Sequence, residues 1–218
     1  MITIGKPYIE QVGNDVFLKS HIVDEVQNIE DDLFYKTDIS FGSFFSDDVA
    51  DAFLIGLLQP AIRHNQSITI KGNISERLAY NLPTIQHILS IGCCFNENAH
   101  ISINFIDVSR GQSKSNAVGC GCSLGVDSFA AMKRHLEKDC PSDHKITHLT
   151  YFNVGAMGYC DLEKAKDSFE KDLKLVQNFS DTIGLPVVTI ESNISKWHSG
   201  FDFDDSGHFR NMSAILSM

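Results

Sequence analysis

The alternation of strand-like and helix-like segments in the second half of the chain is the feature that most constrains its fold. A run of small residues, AVGCGCS, predicts a buried strand and is followed by the helical pattern VDSFAAMKRHLEK. The strand-like KITHLTYFNV, a long amphipathic pattern ending at Gly184, and the strand-like LPVVTIES come next. Strands joined by helices of this length form right-handed crossovers. We therefore predict an α/β domain with a parallel sheet over residues 116–218.

The first half of the chain mixes the same element types in another order. Residues from about 8 to 39 contain two strand-like pieces, DVFLKSHIV and DDLFYKTDI, which predict a small antiparallel sheet. Ser46, followed by two acids, predicts a helix N-terminus. A second helical pattern and two strand-like pieces, SITIKG and HISINFIDV, complete this half. The polar, aperiodic VSRGQSKSN predicts a boundary, so a smaller α/β domain at 1–110 precedes the second one.

The charge of the chain limits its partners. Of 218 residues, 28 are acidic and 18 are basic, which gives a formal net charge of -10. This charge repels phosphate backbones, so we do not expect a nucleic acid partner. No segment resembles a signal peptide, and none approaches the roughly 20 apolar residues of a membrane span. We therefore expect a cytoplasmic protein without a membrane partner.

The six cysteines contain no C-x-x-C pair. In a cytoplasmic chain, thiols are kept reduced, and buried inert thiols are favoured over a structural zinc site. Cys120 and Cys122 have a redox or sulfur-transfer alternative, although their spacing places them on one face of a strand. The full set is Cys93, Cys94, Cys120, Cys122, Cys140 and Cys160.

The turn in GCGCSLGVDS has the composition of an anion site. Its glycine spacing fits neither the dinucleotide fingerprint nor the Walker loop. Gly125 tolerates a positive φ, the hydroxyls of Ser123 and Ser128 are donors, and the amides of the following helix point toward an anion. Asp127 suits a magnesium ion beside a triphosphate, or orients the loop amides. The pattern predicts a phosphate-binding turn, with a tight structural turn as the alternative.

Ser123, Gly125, Asp127 and Ser128 match the S-G-G-x-D-S signature, and the chain thereby resembles the PP-loop ATP pyrophosphatase superfamily. That superfamily includes 7-cyano-7-deazaguanine synthases, NAD synthetases and tRNA thiolation enzymes. The resemblance covers the turn and the strand and helix order of the second half, and the chain differs at Leu124, where the signature has glycine. It implies a Rossmann-like domain that splits ATP between the α and β phosphates. A carbonyl or carboxyl oxygen is adenylated, and a nitrogen or sulfur nucleophile then displaces AMP.

The resemblance also implies where ATP and magnesium bind. Asp127 would hold the metal, and Asp127 and Ser128 would be catalytic. The adenine would lie against the end of the next strand, where Gly155 lets it approach closely; alternatively, Phe152 is a core residue and Asn153 begins a turn. The residues implied in nucleotide binding are Ser123, Leu124, Gly125, Val126, Asp127, Ser128, Phe152, Asn153 and Val154.

Residues 193–211 follow the last predicted strand, and ligands in open α/β sheets bind beyond the carboxyl ends of strands. We therefore predict a substrate gate in this segment, with hinges at Gly200 and Gly207. Arg210 is expected to be exposed and catalytic, meeting pyrophosphate or a substrate carboxylate. In the alternative, Arg210 pairs with a nearby acid and Trp197 packs inward. The other candidates are Asn193, His198, His208 and Asn211.

Only three strands can be counted after the predicted boundary, whereas a doubly wound domain normally has about five. We therefore expect a shortened domain whose open sheet edge is covered by a partner chain, which makes a homo-oligomer. Two functions remain open. The first is an ATP-dependent ligase or amidating enzyme acting on a small-molecule substrate. The second, motivated by Leu124, is a non-catalytic nucleotide-binding or assembly module.

Overall fold

The structure, a computed structural model, describes residues 1–92, 100–110, 116–156 and 162–218. The strands are β1 (Ile2–Ile4), β2 (Tyr8–Val12), β3 (Asp15–Asp24), β4 (Ile29–Asp38), β5 (Ile68–Ile70), β6 (Ile74–Ser75), β7 (Ile103–Asn104), β8 (Val108–Ser109), β9 (Gly119–Gly121), β10 (His148–Asn153) and β11 (Val187–Ser192). The helices are α1 (Asp51–Arg63), α2 (Glu76–Gly92), α3 (Val126–Leu136), α4 (Leu162–Ile183) and α5 (Phe203–Leu216). Two 3₁₀ helices span Ile39–Phe44 and Ile194–His198.

Nine of these strands form one mixed sheet in the order β7-β5-β1-β3-β4-β11-β10-β9, with β2 paired to β3. The pairs β9 with β10, β10 with β11, β1 with β5 and β5 with β7 are parallel. The pairs made by β3 and the pair β4 with β11 are antiparallel. The general α/β class is therefore confirmed, and so are the antiparallel β3 and β4 and the parallel strands of the second half.

The sheet continues across the predicted domain boundary. β11 pairs with β4 in the register Glu191 to Lys36, and the Lys36 Nζ lies 2.7 Å from a Glu191 carboxylate oxygen. The division into domains at 1–110 and 116–218 stays a prediction, and residues 111–115 of the boundary segment lie outside the described residues. Both halves nevertheless contribute strands to one sheet, so the second half is positioned by the hairpin of the first.

In the described part of the chain, two clusters of buried apolar side chains form the core. The larger one joins both halves, since Phe53 and Leu54 of α1 lie in the same cluster as Ile190 and Trp197. The smaller one holds together α3, α4 and the strands β9 and β10. Its buried members are Cys122, Met132, Ile146, Leu149 and Val176. Among the described residues, no helix is long and apolar enough to span a bilayer.

Helix α1 begins later than its sequence pattern predicts. Its N-cap is Ala50, whereas the Ser46 hydroxyl donates to an Asp48 carboxylate oxygen at 3.1 Å. The start is fixed by contacts from outside the helix, because the Ser75 amide donates to the Asp51 carboxylate at 2.8 Å. The prediction of Ser46 as the helix cap is therefore wrong.

Two of the predicted strands also differ from expectation. HISINFIDV forms only the short β7 and β8, because the Ile106 amide between them donates to the Gly72 carbonyl at 3.1 Å. Strand β9 is exposed at Gly119 and Gly121, whereas a buried strand was predicted. Its only strand neighbour among the described residues is β10, so it forms an edge of the sheet.

Candidate functional site

The parallel strands β9, β10 and β11 bring three predicted segments to one edge of the sheet. The turn 123–128 follows β9, Gly155 follows β10, and the 3₁₀ helix Ile194–His198 follows β11. Because the strands are parallel, these three segments lie along the same edge of the sheet. This edge is the candidate nucleotide site.

Two serines close the turn after β9. The Cys122 amide donates to the Thr150 carbonyl at 2.9 Å, which is the last backbone contact of this strand with β10 among the described residues. The Ser123 amide then donates to the Ser128 hydroxyl at 3.1 Å, and the two serine hydroxyl oxygens lie 3.0 Å apart. The contact between Ser123 and Ser128 therefore ties the exit of β9 to the first turn of α3.

Leu124 adopts the left-handed backbone conformation in this turn, with φ +58°. Gly125 is the N-cap of α3 and has φ -86°, so the expected positive φ at Gly125 is wrong and falls one residue earlier. The left-handed conformation costs an L-residue roughly 1–2 kcal/mol. The Leu124 side chain is partly buried against the smaller core cluster, and this packing offsets part of the strain.

We predict that Leu124→Gly is at least as stable as Leu124→Ala, which reverses the usual order of these residues. Both variants lose the packing of the leucine side chain, but only glycine adopts φ +58° without a steric cost. The free energy of unfolding should therefore be about 1 kcal/mol higher for the glycine variant. Urea denaturation of the two variants measures the difference. A glycine variant that is less stable than the alanine variant would contradict the strained backbone.

The first residues of α3, which complete the segment 123–128, are at least partly exposed to solvent. Val126 is 84% exposed and Asp127 is also exposed. The amides of a first helical turn have no acceptor within the helix, and they lie at the positive end of the helix dipole. These amides can therefore bind an anion without any cationic side chain.

Asp127 is the carboxylate of this first turn. Among the described residues, no three His, Cys, Asp or Glu side chains are grouped to hold a metal ion. Magnesium, however, keeps several waters and is commonly bound by one or two carboxylates together with substrate phosphates. A single exposed Asp127 beside the amides at the start of α3 has the composition of such a shared site.

The backbone hydrogen-bonding groups of β10 point alternately toward β9 and toward β11. This alternation reduces the number of residues that are predicted to contact the base. The backbone of His148 and Thr150 is hydrogen bonded toward β9, while that of Leu149 is bonded toward the side of β11. By this alternation, Phe152 directs its amide and carbonyl to the β9 side, beyond the last contact between the strands, whereas Val154 follows the end of β10. The backbone of Phe152 is therefore directed to the side of the sheet on which the turn 123–128 follows β9.

Asn153 lies differently from its two neighbours. Its backbone is directed toward β11, and its side chain amide donates to a Glu191 carboxylate oxygen at 3.4 Å. The Phe152 side chain packs against the larger core cluster, and Val154 is fully buried. The alternative that Phe152 is a core residue therefore holds for its side chain, while its backbone remains directed at the candidate site.

Three predicted residues of the segment 193–211 are buried, so the expectation of an exposed Arg210 is wrong, while the substrate gate itself stays a prediction. Trp197 is 0%, His198 1% and Arg210 2% exposed. Trp197 belongs to the larger core cluster, and the His198 Nε2–H donates to the Gly56 carbonyl of α1 at 2.8 Å. Arg210 is therefore not the exposed cation that was expected.

The other predicted residues of this segment differ in their contacts. The Asn193 amide group bonds the backbone of β4, accepting from Phe34 at 3.0 Å and donating to Asp32 at 2.8 Å. Gly207 lies inside α5, where a methyl group would meet the Phe203 ring at 2.6 Å, so it is a packing position and not a hinge. His208 is exposed and Asn211 is partly exposed on the same helix.

Gly155 and Arg210 make a contact that sequence reasoning missed. Gly155 has φ +98°, and a methyl group there would lie 2.8 Å from the Arg210 Nη1 and 2.9 Å from the Ser195 Cβ. The Arg210 guanidinium also lies over the Phe203 ring, 5.5 Å from its centroid. The glycine could be noticed in the sequence, but no sequence pattern connects it with an arginine 55 positions later.

Burial determines the titration of three groups near this edge. Burial, with a smaller contribution from the positive charge of Arg210, lowers the pKa of His198 to about 3. Burial also raises the pKa of the Cys120 and Cys122 thiols. Both cysteines are free and pack with the smaller core cluster, which is the environment of inert thiols. Cys93, Cys94 and Cys160 lie outside the described residues.

A cavity of about 440 Å³ lies along the outer edge of β9. Its walls come from β9, from the second half of α3 and from the segment before β10, and its polar side chains include His135, Asp143 and His144. The His135 Nδ1 lies 3.1 Å from the His144 carbonyl oxygen. The histidines appear in the sequence without metal spacing, and only the fold brings them together.

Comparison with protein-family models, with curated proteins and with solved structures found no match to this chain.

Proposed function

We propose that the chain binds an adenine nucleotide at the carboxyl edge of β9 and β10, and that it is an ATP-dependent adenylating enzyme of the PP-loop type. Phosphates would bind the amides at the start of α3, with the hydroxyls of Ser123 and Ser128 as further donors. The base would lie against the backbone of Phe152 and Val154. These groups follow neighbouring parallel strands, where ligands of open α/β sheets bind.

The left-handed conformation of Leu124 is the observation that carries this proposal. The signature of the superfamily has glycine at this position, which is the residue that adopts a positive φ without cost. Leu124 has φ +58° although a leucine is strained there. The turn therefore has the backbone geometry that the missing glycine would provide, and the leucine side chain packs toward the core.

In the proposed reaction, ATP supplies an activated phosphorus that converts a carbonyl or carboxyl oxygen of a small-molecule substrate into a good leaving group. Asp127 would hold a magnesium ion together with the phosphates. Ser128 and the first amides of α3 would stabilise the charge that develops on departing pyrophosphate. In the second step a nitrogen or sulfur nucleophile would attack the activated carbon and AMP would leave.

A thermal shift experiment with ATP and magnesium tests the binding. At about 100 times the dissociation constant, the nucleotide should stabilise the wild type by roughly 2.7 kcal/mol. Asp127→Ala and Ser128→Ala should lose most of this shift, because each removes a group that contacts the metal or the phosphates. Asp181→Ala, which removes an exposed carboxylate of α4, is the matched control. A wild type that does not shift, or three variants that all respond like it, would contradict the proposed site.

The second candidate function is a nucleotide-binding or assembly module without turnover. It is favoured by the internal hydrogen bonds of the turn, since the Ser123 amide and hydroxyl already contact the Ser128 hydroxyl. Incubation with ATP, magnesium and a panel of small acids and amines separates the two candidates. AMP with pyrophosphate supports the enzyme, nucleotide binding without products supports the module, and ADP as the product excludes PP-loop chemistry. Homo-oligomerisation stays a prediction beside either function.

A further inference from the structure

The end of β10 is placed where it could form the base side of the nucleotide site. β10 pairs with β9 only as far as Thr150 opposite Gly121, and it continues for three residues to Asn153. At about 3.3 Å per residue, its end lies roughly 10 Å beyond the paired region. The chain then turns at Gly155, three residues after Phe152, whose backbone groups are directed to the side of β9.

Arg210 and Ser195 pack against the backbone of Gly155 in this turn. The Arg210 Nη1 and the Ser195 Cβ occupy the space that a side chain at residue 155 would need, at 2.8 and 2.9 Å. The guanidinium is held in turn by the Phe203 ring, and Phe203 packs on Gly207 one helical turn later. With only 2% of Arg210 exposed, the side chain is a packed support of the turn.

We propose that Arg210 is a positioning residue for the base of the nucleotide, acting through Gly155 and not by contact with phosphate. This inference rests on the proposed function. It assigns the phosphates to the turn 123–128 alone and makes the Gly155 turn a separate determinant of affinity for the base. A ligand that has phosphates but no base should then be insensitive to changes at Arg210 and Gly155.

The test compares ATP with inorganic tripolyphosphate as ligands of the full chain, each with magnesium. In Gly155→Ala, the new methyl group displaces the turn from Arg210, and we expect ATP affinity to fall at least about tenfold, the loss of roughly one hydrogen bond. Tripolyphosphate affinity should change by less than about twofold. Arg210→Lys keeps the positive charge but removes the planar guanidinium group. This variant should also lose affinity for ATP and keep its affinity for tripolyphosphate.

Gly184→Ala is the matched control. Gly184 also has a positive φ, +70°, and none of the described residues lies within 4 Å of a methyl group built there. This variant carries the same kind of backbone strain without the clash at Arg210, so both ligands should bind as to the wild type.

Isothermal titration of both ligands distinguishes the outcomes. Equal losses of affinity for ATP and tripolyphosphate would mean that Arg210 supports phosphate binding. Unchanged ATP affinity would mean that Arg210 supports binding of neither the base nor the phosphates. Each of these results overturns the inference and leaves the proposed function standing. If Gly155→Ala and Arg210→Lys both fail to fold while Gly184→Ala folds, Arg210 is a general core residue and the inference also falls. A wild type that binds neither ligand overturns the proposed function itself.

Discussion

Replacement of Trp197 with alanine is expected to lower the free energy of unfolding by about 3–5 kcal/mol, the cost of deleting a large side chain from a close-packed core. Trp197 is completely buried and lies in the larger core cluster with residues from both halves of the chain. Its carbonyl also accepts a hydrogen bond from the Gln27 side chain at 3.0 Å, which ties the 3₁₀ helix to the β3 and β4 hairpin. Equilibrium denaturation in urea measures the effect.

Trp197→Phe is the control for this measurement. It keeps an aromatic ring in the core and removes the indole nitrogen, for which the described residues provide no hydrogen bond partner. Removing a buried donor without a partner costs little, so this variant should lose less than half as much stability as Trp197→Ala. A loss below about 1 kcal/mol for Trp197→Ala would show that residues 193–211 open readily in solution, as a gate would.

The stability of the protein should depend on pH through His198. Its pKa is lowered from 6.5 to about 3 in the folded state, mainly because burial disfavours the charged ring. The unfolded chain therefore binds a proton at His198 that the folded chain does not, and acid favours unfolding. This contribution is fully present above pH 6.5 and is lost progressively as the pH falls from 6.5 toward 3. The loss amounts to several kcal/mol at the acidic end.

The variant His198→Gln isolates this contribution. A glutamine amide can donate to the Gly56 carbonyl in place of the imidazole Nε2–H, and it does not titrate. Between pH 6.5 and 4, the free energy of unfolding should decline less steeply for the variant than for the wild type, as measured by urea denaturation at each pH. Parallel pH profiles would mean that His198 is protonated in the folded protein or is exposed to solvent.

Sequence patterns correctly predicted those helices and strands whose boundaries depend on residues close to them in the chain. The hairpin strands β3 and β4, the amphipathic helix α4 with its end before Gly184, and the strand β11 all follow from periodicity and turn residues. The start of α1 does not, because a hydrogen bond from Ser75 to Asp51 overrides the capping signal at Ser46. The brief β7 is another case in which contacts distant in sequence decide the outcome.

The candidate site was predictable to the extent that parallel strands place successive loops at one edge. The turn 123–128 and the end of β10 meet there because their strands pair directly. The burial of Arg210 was not predictable, since it depends on how α5 packs beside α1 and on a ring of Phe203 that covers the guanidinium. The position of the positive φ was also not predictable. The sequence suggests Gly125, because glycine tolerates this conformation, but in the structure Leu124 adopts it.

The pairing of β4 with β11 has a consequence for synthesis of the chain. Lys36 is translated about 150 residues before its partner Glu191, which at typical elongation rates is an interval of roughly 8–30 s. During that time one edge of β4 is hydrogen bonded to β3, while its other edge is open and can pair with other nascent chains. Lys36 lies on this edge, and a lysine discourages intermolecular strand pairing. The residue that later binds Glu191 is thus also of the type that discourages pairing of an open edge, so we expect Lys36→Val to increase aggregation during synthesis.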